Sequence, residues 1–263
     1  MILMENLIKI KNLEKIYKSE KSFFSPAKED NHVLKNINLS IKKGEIVSLV
    51  GESGCGKTTL ANCILKLITP ESGEILFEGK DILKFDKQET FEYRKKIQMI
   101  FQNPYSSLNP KMKIFETLSE PLIIHKQKNI KEKVFEISKM VGIAESDLKK
   151  YPHEFSGGQR QRIAIARALI LKPKFIVADE PVSALDVSIC AQIINLLIDL
   201  KKELDLTILS VAHDLNLERY LSDKIAVMNK GEIVEFNETE EIFSNPKNDY
   251  TKFLLSNIRT VSL

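Results

Sequence analysis

The chain contains 263 residues, 43% of them hydrophobic, and its 39 basic and 36 acidic side chains leave a formal net charge of +3 at pH 7. A chain of this length and apolar content can bury a substantial core as one large domain, with or without an inserted lobe, and wholesale disorder is not expected. The balanced charges give no reason to expect nucleic acid as a partner, because nucleic-acid binding usually requires a concentrated basic face.

Two further features of the composition concern cellular location. No segment has the roughly 20 mostly apolar residues that a membrane-spanning helix needs, and the first residues carry Glu5 and Lys9 where a signal peptide would be apolar. The three cysteines (Cys55, Cys63 and Cys190) are an odd number without metal-type spacing. They favour a reducing, cytosolic setting over a disulfide framework.

The amino-terminal third is predicted to form an antiparallel sheet. Residues 34–45 and 72–82 show the alternation of apolar and polar side chains expected of strands, together with glycine turns. The mostly polar residues 18–31 predict a surface loop between two of the strands.

A phosphate-binding loop is predicted between the two sheet regions. Residues 46–50 are an apolar, β-branched run typical of a buried parallel strand. The next eight residues match the pattern G-x-x-x-x-G-K-[ST], and a helical run begins at Thr59. In such a loop the backbone N–H groups point at the phosphates, Lys57 adds a positive charge for the β- and γ-phosphates, and the Thr58 hydroxyl coordinates Mg²⁺. The predicted loop residues are Gly51, Glu52, Ser53, Gly54, Cys55, Gly56, Lys57, Thr58 and Thr59.

The region of residues 103–155 has no strong strand signal. Ile130, Val134, Ile137 and Val141 lie on one face of a helix, and an inserted helical lobe is therefore predicted.

A second anion-binding device is predicted directly after this lobe. Ser156, Gly157, Gly158 and Gln159 lead into a predicted helix over residues 159–171. A serine followed by glycines at a helix start combines an N-cap with free backbone N–H groups.

The following segments predict an α/β core with a mainly parallel sheet. Short apolar strands are expected over residues 174–179, 206–212 and 224–229, and an amphipathic helix with Ile189 and Ile193 on its buried face lies between the first two. The first strand ends in Asp179 and Glu180, at the sheet edge where ligands bind. Next to a phosphate loop, this pair predicts a nucleoside triphosphatase in which Asp179 holds Mg²⁺ and Glu180 polarises the attacking water. From Glu232 onward, a polar appendage is expected.

The order of these motifs resembles the ATP-binding cassette family. Ser156 to Gln159, with Phe155 before them, resemble its signature motif, although leucine is usual at position 155. The resemblance implies an α/β fold: a P-loop NTPase (RecA-like) core with an antiparallel β subdomain and an inserted helical subdomain. The expected organisation is one ATP-binding domain over residues 1–263, with the helical subdomain at about 103–155 and the appendage at about 232–263.

The same resemblance implies roles for four more residues. Gln102 matches the glutamine that contacts Mg²⁺ and links the nucleotide to the helical lobe, Asp186 falls in the segment that communicates across a dimer, and His213 matches the switch histidine at the γ-phosphate. Taken alone, His213 would be read as an ordinary core histidine. Tyr17 lies where the family places an aromatic that stacks on adenine, although other aromatics lie nearby. With Glu180 and His213 both present, an active ATPase using ATP and Mg²⁺ is expected.

Residues 101–110 and 245–252 further resemble the oligopeptide, dipeptide and nickel importer branch. That resemblance implies a second cassette ATPase as a homo- or heterodimer partner, two integral-membrane permease subunits and, indirectly, an extracytoplasmic substrate-binding protein. It also implies a peripheral position on the cytoplasmic face of the cell membrane. The choice between peptides and nickel or other metal complexes as cargo stays open. The alternative is a non-transport cassette ATPase in translation, repair or assembly, although the chain lacks the second cassette and the long coiled coil of such proteins.

Overall fold

A computed structural model describes residues 6–18, 30–183, 185–212 and 215–257. The strands in these ranges are β1 (Asn6–Tyr17), β2 (Asn31–Lys42), β3 (Ile46–Val50), β4 (Ser72–Phe77), β5 (Lys80–Asp81), β6 (Ile97–Ile100), β7 (Phe175–Asp179), β8 (Thr207–Ala212), β9 (Lys224–Asn229) and β10 (Glu232–Glu238). The α-helices are α1 (Lys57–Ile64), α2 (Lys87–Lys96), α3 (Pro104–Ser107), α4 (Ile114–Ile124), α5 (Ile130–Met140), α6 (Gly157–Leu169), α7 (Val187–Leu204), α8 (Leu215–Leu221), α9 (Thr239–Ser244) and α10 (Asp249–Ser256). Short 3₁₀ helices span Ile82–Lys84, Glu145–Lys149 and Pro152–Glu154.

The chain divides into two compact units, one formed by Met1–Thr90 with Leu209–Leu263 and the other by Phe91–Ile208. In the first unit, β1 pairs with β2 and β4 in an antiparallel sheet of order β2-β1-β4-β5. A second group has the order β10-β9-β3-β8, in which β3 and β9 run parallel and β10 is antiparallel to β9. The residues of β3 are buried at all five positions, as expected of a strand covered on both faces.

The second unit contains the strand order β8-β7-β6, with β6 parallel to β7. Strand β8 crosses the division between the units, since it starts at Thr207 and ends at Ala212. Helices α3 to α6 and two of the 3₁₀ helices occupy the stretch between β6 and β7. Helices α4 and α5 bury apolar faces that include Leu118, Leu122, Val134 and Ile137, which explains the helical spacing of these residues in the sequence.

The predicted elements agree with the structure in type and place. The predicted strands at 46–50, 174–179, 206–212 and 224–229 are present, and the stretch 103–155 is helical with loops between its helices. The helix expected from Thr59 already begins at Lys57, and the helix expected from Gln159 begins at Gly157. Most of the loop predicted at 18–31 lies outside the described residues, and the single domain over 1–263 remains a prediction.

The appendage predicted from Glu232 is more regular than its polar composition suggests, because it forms β10, α9 and α10. Among the described residues, no helix combines the length and the apolar character needed to cross a membrane.

Candidate nucleotide site

The turn between β3 and α1 has the backbone conformation of a phosphate-binding loop. Gly51 and Gly56 have φ values of +152° and +112°, in the left-handed region that favours glycine. A Cβ atom on Gly51 would lie 2.1 Å from the carbonyl oxygen of Met228, and one on Gly56 would lie 2.8 Å from that of Val33. The loop therefore requires glycine at these positions for both conformation and space.

Lys57 holds its positive charge inside this loop. Its Nζ donates hydrogen bonds to the carbonyl oxygens of Gly51 at 2.7 Å and Glu52 at 2.9 Å, and it lies 3.8 Å from the Cys55 Sγ. The residue is only 7% exposed. Both partners are neutral carbonyl oxygens, so they orient the ammonium group without cancelling its charge. The positive charge therefore remains available to a phosphate that enters the loop.

The loop is supported by the carboxyl-terminal part of the first unit. The N–H of Gly231, in the turn between β9 and β10, donates to the Cys55 carbonyl oxygen at 3.0 Å. The hydroxyl of Tyr250, on α10, accepts a hydrogen bond from the Glu52 N–H at 3.1 Å. Burial raises the pKa of Tyr250, so its hydroxyl stays protonated at neutral pH. Tyr250 belongs to the segment that resembles the importer branch, but nothing in the sequence placed it beside the phosphate loop.

Tyr17 ends β1 and is 41% exposed. The Lys15 Nζ lies 5.1 Å from the centroid of its ring and also pairs with Glu71 at 2.9 Å. An exposed aromatic ring can stack on a base. Stacking of Tyr17 on adenine remains a prediction.

In the second unit, Glu180 lies immediately after β7 and is bound by Gln102. The Gln102 Nε2 donates to the Glu180 Oε2 at 2.6 Å. Glu180 has φ +45°, uncommon for a residue other than glycine. Its carbonyl oxygen accepts hydrogen bonds from both the N–H and the hydroxyl of Ser183, each at 3.2 Å. This turn fixes the backbone of Glu180, and Gln102 orients its carboxylate. Asp179 is the last residue of β7, as predicted.

Ser156 caps α6 as the sequence predicted. The Gln159 N–H donates to the Ser156 Oγ at 3.3 Å, and the Ser156 N–H donates to the Gln159 Oε1 at 3.0 Å, which completes a capping box. Ser156 is exposed, and a Cβ on Gly158 would lie 2.6 Å from the Ile189 Cγ2 on α7. The exposed N-terminus of a 13-residue helix offers N–H groups and a dipole to an anion.

Asp186 caps α7 in the same unit. Its Oδ1 accepts hydrogen bonds from the Ile189 N–H at 3.0 Å and the Ser188 hydroxyl at 2.9 Å. These bonds, that of Ile189 above all, lower the pKa of Asp186, so it is a carboxylate at neutral pH. His213 lies outside the described residues, between the end of β8 at Ala212 and the start of α8 at Leu215.

The first unit also contains a buried carboxylate that the sequence pattern does not indicate. Glu218 on α8 is 3% exposed and accepts hydrogen bonds from Ser48 and Ser210. The sequence carries no signal for it, since a glutamate in a short helix usually faces solvent.

The fold and the glycine-rich loop define a P-loop nucleoside triphosphatase. The family model described as ABC transporter matches residues 34–183. The chain belongs to this ATP-binding cassette family and is an ATPase.

The comparisons with individual proteins agree with this family. The chain is 46% identical over 260 residues to the dipeptide transport ATP-binding protein DppF of Lactococcus lactis subsp. cremoris, covering 97% of this chain and 81% of that protein. It is 48% identical over 258 residues to the oligopeptide transport ATP-binding protein AmiF of Streptococcus pneumoniae, covering 96% and 81%. It is 45% identical over 259 residues to the oligopeptide transport ATP-binding protein OppF of Bacillus subtilis, covering 97% and 83%.

Two solved structures share the fold over most of their length. CbiO1 of Clostridium perfringens, part of the ABC transporter complex cbiONQ, has a TM-score of 0.80 at 30% identity, with 92% of each chain covered. The ATP-binding cassette MJ0796, in a dimeric post-hydrolysis state bound to ADP and Pi, has a TM-score of 0.75 at 34% identity, with 88% of this chain and 98% of that chain covered.

The contact between Tyr250 and the loop leads to a first prediction. Tyr250→Phe removes the acceptor of the Glu52 N–H but keeps the ring, so the loop loses one hydrogen bond worth about 0.5–1 kcal/mol. The Kd for ATP should rise about two- to fivefold, measured by isothermal titration calorimetry. Tyr220→Phe is the matched control, because Tyr220 is 67% exposed. Equal affinities in the two variants would show that the Tyr250 hydroxyl does not support the loop.

Proposed function

We propose that this chain is the ATP-hydrolysing subunit of a membrane importer for oligopeptides or dipeptides. The observation that carries the proposal is the hydrogen bond between Gln102 and Glu180, because it joins the carboxylate expected to act in hydrolysis to the segment leading into the helical region. The cargo class follows from the names of the relatives, which are peptide-transport ATP-binding proteins at 45–48% identity. The nickel alternative has no such support.

Each of the predicted site residues has a role in this proposal. The backbone of Gly51 to Thr59 and the Lys57 ammonium group bind the phosphates of ATP, and Tyr17 stacks on adenine. Glu180 accepts a proton from the attacking water, with Gln102 orienting its carboxylate, and His213 contacts the γ-phosphate. The Lys57 contacts support its part, since the ammonium group already points into the loop.

Mg²⁺ fits the donor set that the sequence predicted for it. Thr58, Gln102 and Asp179 would hold it through hydroxyl, amide and carboxylate oxygens, the ligands this ion takes in proteins. Bound with ATP, the ion neutralises phosphate charge during transfer.

The second anion site is proposed to act in trans. Ser156, Gly157, Gly158 and Gln159 of one subunit close over the γ-phosphate held by another cassette, either a second copy or a related chain, and Asp186 lies at the contact. Two features support this: the exposed capping-box start of α6 and the dimeric state of the MJ0796 cassette.

A groove in the second unit is proposed to receive a cytoplasmic helix of a permease subunit. It encloses about 420 Å³ and is lined by residues that include Tyr105, Leu108, Pro110, Met112 and Arg167. Tyr105 is 65% exposed, so an apolar partner would bury much of its ring.

Two arginines of α6 connect this groove with the signature motif. The Arg160 guanidinium lies 3.7 Å from the centroid of the Tyr105 ring, and the Arg167 Nη1 donates to the Ser107 carbonyl oxygen at 2.9 Å. A permease helix that moves α3 would therefore move α6 and its capped N-terminus. With two such permease subunits, the chain would lie at the cytoplasmic face of the membrane, and the permease subunits would receive cargo from an extracytoplasmic binding protein.

The proposal is tested by two measurements: whether the chain assembles with permease subunits, and whether the assembled complex transports a peptide. The chain, co-expressed with the two permease chains and the binding protein of a peptide importer from the same organism, should co-purify with the permeases. In vesicles containing ATP, the complex should take up a radiolabelled tripeptide and no radioactive nickel. Nickel uptake without peptide uptake would overturn the cargo class. An active ATPase that binds no permease would instead support the non-transport alternative.

A further inference from the structure

The backbone directly before Tyr17 is bound by a side chain of the first unit. The register of β1 with β4 ends at Glu14, opposite Ser72, and the Glu71 N–H donates to the Glu14 carbonyl oxygen at 2.9 Å. Two residues further along β1, the Ile16 N–H donates to the Glu71 Oε2 at 2.7 Å. The Glu71 carboxylate therefore takes the role that a backbone carbonyl has in a strand pair.

The other oxygen of Glu71 holds the side chain of Lys15. The Lys15 Nζ donates to the Glu71 Oε1 and to the Thr69 carbonyl oxygen, both at 2.9 Å. The same ammonium group lies 5.1 Å from the centroid of the Tyr17 ring, within the range of a cation–π contact. Glu71 thus acts on Tyr17 twice, through the backbone before it and through the ammonium group beside its ring.

The charge of Glu71 is maintained by these contacts. Burial alone would raise its pKa, but the hydrogen bonds from the Lys15 ammonium group and the Ile16 N–H lower the pKa below its ordinary value. Glu71 is therefore a carboxylate at neutral pH, and both of its oxygens can accept hydrogen bonds.

The acceptors of Lys15 belong to the segment that follows the phosphate-loop helix. Helix α1 ends at Ile64, and the Leu67 N–H donates to the Asn62 carbonyl oxygen at 2.9 Å, which folds the chain back onto the helix. Thr69 lies two residues further on. The end of β1 is therefore bound to the continuation of α1, within one compact unit. This arrangement fixes the Tyr17 end of β1 relative to the helix that begins in the phosphate loop.

A second ion pair between the same two strands provides a comparison. Lys11 on β1 lies opposite Glu74 on β4, and their side chains pair at 3.1 Å while 44% and 45% exposed. The side chain of Lys15 is only 12% exposed. An exposed cross-strand pair adds little to stability, whereas the Lys15 ammonium group is held by two acceptors where water screens its charge less.

We infer that Glu71 and Lys15 are positioning residues that hold the Tyr17 ring where it stacks on adenine. The inference rests on the role of Tyr17 in the proposed function. Their effect is confined to the base of the nucleotide. The affinity for ATP depends on them, while the affinity for the triphosphate part of ATP does not.

The main test compares two ligands in the variant Glu71→Ala, which removes both acceptor oxygens. Calorimetric titration in the presence of Mg²⁺ measures the Kd for ATP and the Kd for inorganic tripolyphosphate, which lacks the base. The Kd for ATP should rise about fivefold, since stacking of a base on an aromatic ring is worth at least a factor of this order. The Kd for tripolyphosphate should stay within about twofold. An unchanged Kd for ATP, or an equal rise for both ligands, would overturn the inference.

Glu74→Ala is the matched control, because it removes the Lys11 pair from the same two strands. It should leave both Kd values unchanged. If Glu74→Ala weakens ATP binding as much as Glu71→Ala, the effect belongs to the sheet in general and the inference is wrong.

Lys15→Met covers the case in which Glu71→Ala fails to fold. Methionine keeps an unbranched apolar chain and removes the ammonium group beside the Tyr17 ring. The Kd for ATP should rise about threefold, the loss expected for one exposed cation–π contact, while the Kd for tripolyphosphate stays unchanged. Unchanged ATP affinity in Lys15→Met would contradict the positioning role.

Tyr17→Ala separates this inference from the function on which it rests. The Kd for ATP should rise about tenfold, and adding Glu71→Ala to this variant should cause no further rise, because the two residues act as one unit. If Tyr17→Ala keeps wild-type affinity, the role of Tyr17 in the proposed function is wrong and the inference falls with it. If Tyr17→Ala weakens ATP binding but Glu71→Ala has the same effect with or without Tyr17, only the positioning role is wrong.

Discussion

Replacing Glu180 with glutamine should lower kcat for ATP hydrolysis by about 100-fold or more, because loss of a general base typically costs that much. The substitution should impair hydrolysis without disturbing the hydrogen bond between residue 180 and Gln102. The Glu180 Oε2 accepts a bond from Gln102 at 2.6 Å, and a glutamine at 180 can accept the same bond through its amide oxygen. The variant should therefore bind ATP with near-wild-type affinity, and phosphate release in steady state measures the loss.

The same variant should accumulate as a dimer when ATP is added. Two chains of 30.0 kDa would be held together by ATP that is not hydrolysed, and light scattering measures their mass. Glu136→Gln is the matched control, since Glu136 forms a surface ion pair with Lys172. Normal turnover in Glu180→Gln would contradict the assignment of Glu180 as the base.

Replacing Lys57 with alanine should weaken ATP binding itself. A charge-assisted hydrogen bond is worth about 1.5–3 kcal/mol, and at the upper value the Kd would rise by about 100-fold. The upper value is expected because the Lys57 ammonium group is buried in the loop, where water screens its charge little. Calorimetric titration with ATP measures the change.

Lys84→Ala is the control for this prediction. Lys84 is largely exposed and pairs at the surface with Asp81, so its loss should leave the Kd for ATP unchanged. An unchanged Kd in Lys57→Ala would contradict the interpretation of the loop as the phosphate site.

The phosphate loop could be predicted because its chemistry is local in sequence. The glycines, lysine and threonine lie within eight residues, and the apolar run before them has the composition of a buried parallel strand. The capping box of α6 could be predicted for the same reason, since Ser156 and Gln159 are three residues apart. Such features need no knowledge of distant contacts.

The contacts that support the site could not be predicted in this way. Tyr250 and Glu52 are 198 residues apart, and Ser48 and Glu218 are 170 apart, so their contacts follow from the packing of the elements. Glu180 has a positive φ that its residue type disfavours, and the turn to Ser183 that stabilises it is seen only in three dimensions.

Helix α2 and strand β10 are among the elements that the sequence did not predict, because both lack apolar periodicity. Helix α2 has the sequence KQETFEYRKK, in which Tyr93 is the one buried residue, so its pattern does not differ from that of a polar loop. Strand β10 has no fully buried position, and its polar side chains were read as an appendage. Strand β10 is stabilised by antiparallel pairing with β9, and this backbone pairing leaves no hydrophobic pattern in the sequence.

Measuring phosphate release and tripeptide uptake in the same vesicles shows whether hydrolysis at Glu180 drives peptide import. Vesicles containing the complete transporter are compared with vesicles in which this chain carries Glu180→Gln. In the Glu180→Gln vesicles, uptake and phosphate release should fall together by about 100-fold. Uptake that continues at the wild-type rate after phosphate release is lost would contradict this link between hydrolysis and import.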